Sequence, residues 1–267
     1  MRLLMSAVVL TILPASLAAQ NAYRRTPGDT LRYDERTKII SAAQTPMGEM
    51  TTEANSEGAT TFAFRTADSV TVTLHPTKLT MKLPTGEYSP EMGGFNGSSY
   101  EVLMKPNGEL EVLPQPDLPE ALASINSSVN ALDFFVRLPA KRLSAGAVWT
   151  DTAEFHDSTA IMRMKIRRVA SYKVEKDTIV DGSRAWIIAG TGDGSLESAG
   201  SGTTAGGSVE VSMTIKDTDR AVITQDGLML SRDLVMEQKG VSRIVMASTP
   251  MDMPVTGTIE LQRRLVR

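Results

Sequence analysis

Apolar and polar residues alternate with a period of two through most of the chain. Val70, Val72 and Leu74 alternate with threonines, and Leu79, Met81 and Leu83 alternate with Thr80 and Lys82. Tyr100, Val102 and Met104 repeat the pattern, as do Met162, Met164 and Ile166 against Arg163, Lys165 and Arg167. Successive side chains of a strand point to opposite faces. Each run therefore predicts one buried and one wet face, which suits an antiparallel sheet. Asn107-Gly108, Asp181-Gly182 and Asp226-Gly227 lie between such runs. A tight hairpin needs positive φ at its central residues, and Asn/Asp-Gly tolerates it. The chain reads as mainly β, a β-rich α+β protein of curved antiparallel sheet.

One segment has a different period. Leu118, Leu122, Ile125, Val129, Leu132 and Phe135 recur at spacings of three and four, which predicts one amphipathic helix over about 118–136. Asp117 suits its N-cap, Pro119 its first turn, and Glu120 completes a capping box. The helix is expected to pack on the sheet and to end before Pro139. It divides the chain into a β-rich half at 29–113 and another at 147–267, joined by a linker at 114–146. Each half carries a late hairpin, over Tyr100–Leu113 and Met213–Met236, so two related halves are expected.

Residues 190–208 are rich in Gly, Ser and Thr. The Gly190-Thr-Gly192-Asp-Gly194 run prompts a phosphate-binding reading. It lacks the Lys-Ser/Thr ending and the following helix that such a loop needs. A flexible loop between strands is expected there.

The first nineteen residues are an address. Arg2 precedes a short apolar run from Leu3 to Leu13, Pro14 breaks it, and Ser16-Leu17-Ala18-Ala19 offers small residues for cleavage. This reads as a secretory signal peptide over 1–19, too short for a bilayer span. Residues 20–28 are polar and are expected to form a flexible leader. The protein is thus expected in the periplasm or extracellular space, and not membrane-spanning once cleaved.

Composition narrows the chemistry. Cys is absent and His occurs twice, so a disulfide framework, a thiolate metal site and a thiol nucleophile are excluded. A net charge of −3 argues against nucleic acid as a partner. Glu154 and His156 share one face of a strand, but nothing nearby completes a zinc site or a triad. No metal or cofactor is called for, no catalytic residue is assigned, and an enzyme is not expected. The few aromatics, 5 Tyr, 2 Trp and 6 Phe, do not supply the girdles of an outer-membrane barrel.

Two features invite binding. Methionine is abundant, with 15 in the chain, and it suits adaptable apolar surfaces. Met81, Met162, Met164 and Ile166 are expected to floor an apolar cleft that Leu122, Ile125 and Val129 of the helix cover. Arg163, Lys165 and Arg167 share the opposite strand face and are expected to contact anionic headgroups or an acidic partner.

Leu138-Pro139, Lys141, Leu143, Gly146 and Trp149-Thr150 form a Leu-Pro…Gly-x-x-Trp passage. Tyr172, Val174, Gly182, Ala185, Ile187 and Asp226-Gly227 follow it. This arrangement resembles a family of exported bacterial proteins of unknown function whose halves are joined by such a passage. A looser similarity is to LolA- and LppX-like carriers, open curved sheets whose helices plug a lipid-binding concavity. The first resemblance implies export, and the second implies a binder of an apolar ligand, either a lipid or a lipidated chain. The alternative is a structural or protein-interaction domain of the envelope, with a filled core and no small ligand.

Overall fold

The computed structural model describes residues 22–113, 134–158, 162–201, 207–246 and 249–266. The strands are β1 (Thr30–Thr45), β2 (Gly48–Phe64), β3 (Ser69–Leu83), β4 (Gly86–Tyr88), β5 (Ser99–Met104) and β6 (Leu110–Val112). After the linker come β7 (Val148–Ser158), β8 (Met162–Val180), β9 (Ser183–Ser201), β10 (Ser208–Thr224), β11 (Met229–Met246) and β12 (Thr249–Val266). All belong to one antiparallel sheet in the order β6-β5-β3-β2-β1-β12-β11-β10-β9-β8-β7, with β4 beside β3. The two halves of the chain are therefore two meanders zipped together by β1 and β12, from Arg32↔Val266 to Ala43↔Val255. The sheet is not closed, and β6 and β7 are its edges.

The hairpin signals act where the pattern places them. Asp181 and Gly182 both have positive φ, 48° and 78°, and join β8 to β9. Asn107-Gly108 joins β5 to β6, and Asp226-Gly227 joins β10 to β11. A bulge at Thr77 in β3 shifts the register, so that Glu57 faces Lys78 while Gly58 faces Pro76. The extra residue reverses the phase of β3. It brings Leu79, Met81 and Leu83 to the face that Val70 and Val72 occupy.

The long strands, up to 19 residues, span roughly 60 Å. A hydrophobic core fills one end of their inner face. Tyr33, Phe62, Val70, Val72 and Val102 come from one side of the sheet, and Tyr172, Val174 and Ile188 from the other. The chain between them fills the gap. Phe134 and Phe135 pack edge-on to Phe62, with centroids 4.6 and 5.2 Å away. Their segment is anchored through its backbone. Tyr23 Oη donates to the Val136 carbonyl at 2.8 Å, Leu138 N–H to that of Asn107 at 2.8 Å, and Trp149 Nε1–H to that of Arg137 at 2.9 Å.

Three expectations change. Residues 118–133 of the expected helix over 118–136 lie outside the described residues, and only its last turn is described. Phe134, Phe135 and Val136 are irregular chain, because the core uses all three side chains at once and a helix would turn one outward. No α-helix occurs among the described residues. The segment 190–208 is not a loop over most of its length, since β9 runs to Ser201 and β10 begins at Ser208. Its glycines give clearance. A Cβ at Gly190 would lie 2.5 Å from the Tyr172 ring, and one at Gly192 would collide with the Asp217 carboxylate. Finally, residues 22–28 do not form a loose leader. Tyr23 is buried in the core, where its ring packs on Phe135 and its hydroxyl finds a carbonyl.

Candidate functional site

The long strands set most of their apolar side chains on one inner face and most polar ones on the outer, with Gly, Ser and Thr interrupting the inner rows of β1, β2 and β9. In β10 the alternation is complete from Ser208 to Ala221, with every inward residue less exposed than its neighbours. Followed from strand to strand, one inner row reads Phe155, Ile166, Leu196, Met213, Gly240, Val255 and Ala43. The parallel outer row reads His156, Lys165, Glu197, Ser212, Val241 and Pro254. A barrel embedded in lipid needs the opposite arrangement, apolar outward and polar inward.

The inner face has two zones. Toward the β8–β9 and β10–β11 turns lies the filled core. Toward the other hairpins the inner side chains are half-buried, among them Ile166, Leu196, Val211, Met213, Ile244 and Met253. This second zone, the trough, is a half-buried stretch of inner face in which apolar side chains alternate with Ser198, Gly200, Gly240 and Ser242. Met164 and Ile166 lie in it, next to each other on β8. Met81 is on the same face but separated by six strands, β2, β1, β12, β11, β10 and β9. Met162 pairs with Gly200 across β8 and β9. Leu122, Ile125 and Val129 lie outside the described residues. Arg163, Lys165 and Arg167 are exposed on the outer face, as the alternation predicts.

An ionic belt lies between core and trough. Arg168, Asp217, Asp219, Arg232 and Arg263 are all buried on the inner face. Arg168 grips Asp217 with two bonds, Nε–Oδ2 at 2.7 Å and Nη2–Oδ1 at 2.6 Å, and also donates to Tyr172 Oη at 3.1 Å. Arg232 donates to Asp219, with Nη2–Oδ2 at 2.6 Å. Arg263 donates from Nε to Glu35 Oε2 at 2.9 Å and from Nη1 to the Phe134 carbonyl at 3.0 Å, with its guanidinium 4.0 Å from the Phe134 ring centroid. Thr60 donates to the other oxygen of Glu35. Buried charges persist only when paired and hydrogen-bonded, and these are.

Sequence reasoning missed the belt. A signal was present, because Asp217 and Asp219 stand at the same parity as Ile215 and Ala221. Reading that parity would have placed two carboxylates inside the sheet. The alternate glycines at 190, 192 and 194 were the second signal, marking the strand that must stand clear of large inward groups.

The histidine candidate stays on the surface. His156 Nε2 and Lys165 Nζ each lie 3.2 Å from Glu154 Oε1, and all three side chains are about half exposed. The hydrogen bond and charge of Lys165 hold the Glu154 carboxyl below its ordinary range, with His156 adding to this. No group of three or more metal-ligating side chains occurs among the described residues. A groove of about 690 Å³ opens here, lined by Arg163, Lys165, Glu197, Glu210 and Arg243 of the outer face and also by Met164 and Val211. Two of its cations are paired within the protein, Lys165 with Glu154 and Arg243 with Asp252.

No family model and no curated protein matches the chain. Among solved structures, the chain aligns with the Pseudomonas aeruginosa protein OccK11 (OpdR) at 8% identity, over 94% of this chain and 100% of that one. The TM-score is 0.20, too low for a shared fold. No helix among the described residues is long and apolar enough to cross a membrane.

Proposed function

We propose that the chain is an exported, non-enzymatic carrier of an apolar ligand, a lipid or a lipidated chain, in the cell envelope. One observation carries this reading. The trough presents half-exposed apolar side chains on the inner face of a sheet whose outer face is polar. Covering such a face releases roughly 25 cal/mol for each Å² of apolar surface removed from water. Methionines at Met164, Met213 and Met253 suit a flexible chain, because the thioether side chain repacks at low cost. The apolar stripe of Leu122, Ile125 and Val129 would share this cover. The address at 1–19 supplies the export.

The test is native mass spectrometry of the full-length chain, expressed in a host with an envelope and purified without detergent. The expected result is extra mass that solvent extraction identifies as lipid, lost when Ile166→Gln and Met213→Gln are combined. Circular dichroism checks that the variant keeps its sheet. A bare polypeptide mass, unchanged after incubation with phospholipid, overturns the carrier reading. It would favour the envelope interaction domain, for which the open edge of β7 is the supporting observation. An extended partner strand can pair with such an edge.

A further inference from the structure

A second hollow lies away from the trough, open to the surface beside the filled core, with Arg142, Ser144, Asp177, Arg184 and Gln225 all exposed. Its volume is about 560 Å³, within the usual range for small-ligand sites. Three parts of the chain meet there. Arg142 and Ser144 come from the turn before β7, which is tied down by Ala147 N–H on the Ser144 carbonyl and by Gly146 N–H on that of Val174. Asp177, Arg184 and Trp186 come from the β8–β9 extension, where a register shift after Val174 sets Asp177 opposite Trp186. Gln225 comes from the β10–β11 turn, held by its N–H on the Arg184 carbonyl.

The side chains differ from those of the outer groove. There, Lys165 and Arg243 are tied to carboxylates at the groove's margin. Here, no hydrogen bond or ion pair among the described residues engages the side chains of Arg142, Asp177 or Arg184, or the Trp186 indole N–H. The other tryptophan is fully employed, with its N–H on the Arg137 carbonyl and its ring stacked on Tyr172 at 5.3 Å. Trp186 is held at its base by the core and lines the hollow.

Two guanidiniums and one carboxylate leave one net positive charge beside an aromatic ring and a carboxamide. Guanidinium pairs bind carboxylates through directional bonds. An indole offers a flat apolar surface with a polar edge. Asp177 and Gln225 add acceptors and donors for hydroxyls. We infer that this hollow binds an acidic saccharide, a sugar ring bearing a carboxylate, with Arg142 and Arg184 on the carboxylate and Trp186 against the ring. The hollow is separate from the trough, so this inference does not depend on the carrier reading.

The experiment is a titration of the purified full-length chain, followed by NMR of the two indole N–H groups. The probes are sodium glucuronate, glucose and sodium acetate, and Trp186→Phe assigns the signals. Glucuronate is expected to shift the Trp186 signal saturably and leave that of Trp149 in place. Glucose and acetate should bind at least about tenfold more weakly, and Arg142→Ala and Arg184→Ala should each cost at least about tenfold in glucuronate affinity. An unchanged Trp149 signal in each variant shows that the fold is intact. No shift with about 100 mM glucuronate overturns the proposal, a probe concentration that already detects very weak binding. Acetate matching glucuronate overturns it too, because the site would then read charge alone.

Discussion

The two zones of the inner face are built from the same strands by the same alternation, yet they are stabilised differently. In the core zone, aromatic rings and the irregular chain from Phe134 onward fill the space between opposite sides of the sheet. In the trough zone, smaller and more flexible side chains stay half-buried. The belt of paired charges separates the two. The comparison shows that alternation creates an inner face but does not decide what covers it. Where rings and the returning chain meet, the face becomes a core. Where Met, Val, Ser and Gly alternate along it, the face stays adaptable.

The largest effect that would sharpen this comparison is expected at alkaline pH. Burial pushes the phenols of Tyr23, Tyr33 and Tyr100 well above their ordinary value of 10.0. A folded state that holds these protons is favoured fully below the unfolded value. That contribution is lost as pH rises above about 10. The three phenolates should therefore appear in one step together with loss of the sheet, seen by parallel ultraviolet absorbance and circular dichroism. Phenolates that appear well before unfolding would mean that the core zone is open to water.

Removal of one belt partner comes next. Among the described residues, Arg232→Ala leaves the buried Asp219 carboxylate with only Tyr172 Oη at 3.4 Å and Arg168 Nη2 at 3.8 Å, and should cost about 3 kcal/mol in urea unfolding. The paired change of Arg232→Met with Asp219→Leu should recover much of that loss, because no charge is then left unpaired. If Arg232→Ala costs less than about 1 kcal/mol, the belt does not divide core from trough as a buried, paired set of charges.

Cavity formation tests the two zones directly. Phe62→Ala in the core should cost about 3–5 kcal/mol, whereas Met213→Ala in the trough should cost less than about 2 kcal/mol. Equal losses, measured by the same denaturant midpoints, would erase the distinction between core and trough. The smallest effect is expected at the surface. His156→Ala should leave the thermal midpoint and bound lipid unchanged, since the side chain touches only an exposed carboxylate. A loss of bound lipid in that variant would move the binding surface to the outer groove.

The sequence made some of this legible and hid the rest for identifiable reasons. Period-two runs at 70–74, 100–104 and 162–167 marked strands, because strand geometry is local. Asn/Asp-Gly pairs marked hairpins, because positive φ is a property of single residues. The helical period ending at Phe135 was misleading at its end. Spacings of three and four say that side chains could share a stripe, not that a helix forms. The glycines at 190–194 looked like a loop because their reason for being small lies on β8 and β10. Of the candidate site, the inward positions of Met164 and Ile166 were readable from alternation. The distance of Met81 from them was not, because strand order comes from the closing pair β1 and β12.

The amino-acid sequence by itself determined the strands, their tight turns and which side chains share each local face. Propensity and alternation act over a few residues, and nothing further is needed. Only the tertiary structure decided that the meanders join through β1 and β12, that a bulge at Thr77 turns Met81 inward, and that Arg168 meets Asp217. Those contacts lie far apart in sequence. Their geometry is fixed by register, twist and the packing of side chains that only the folded sheet brings together.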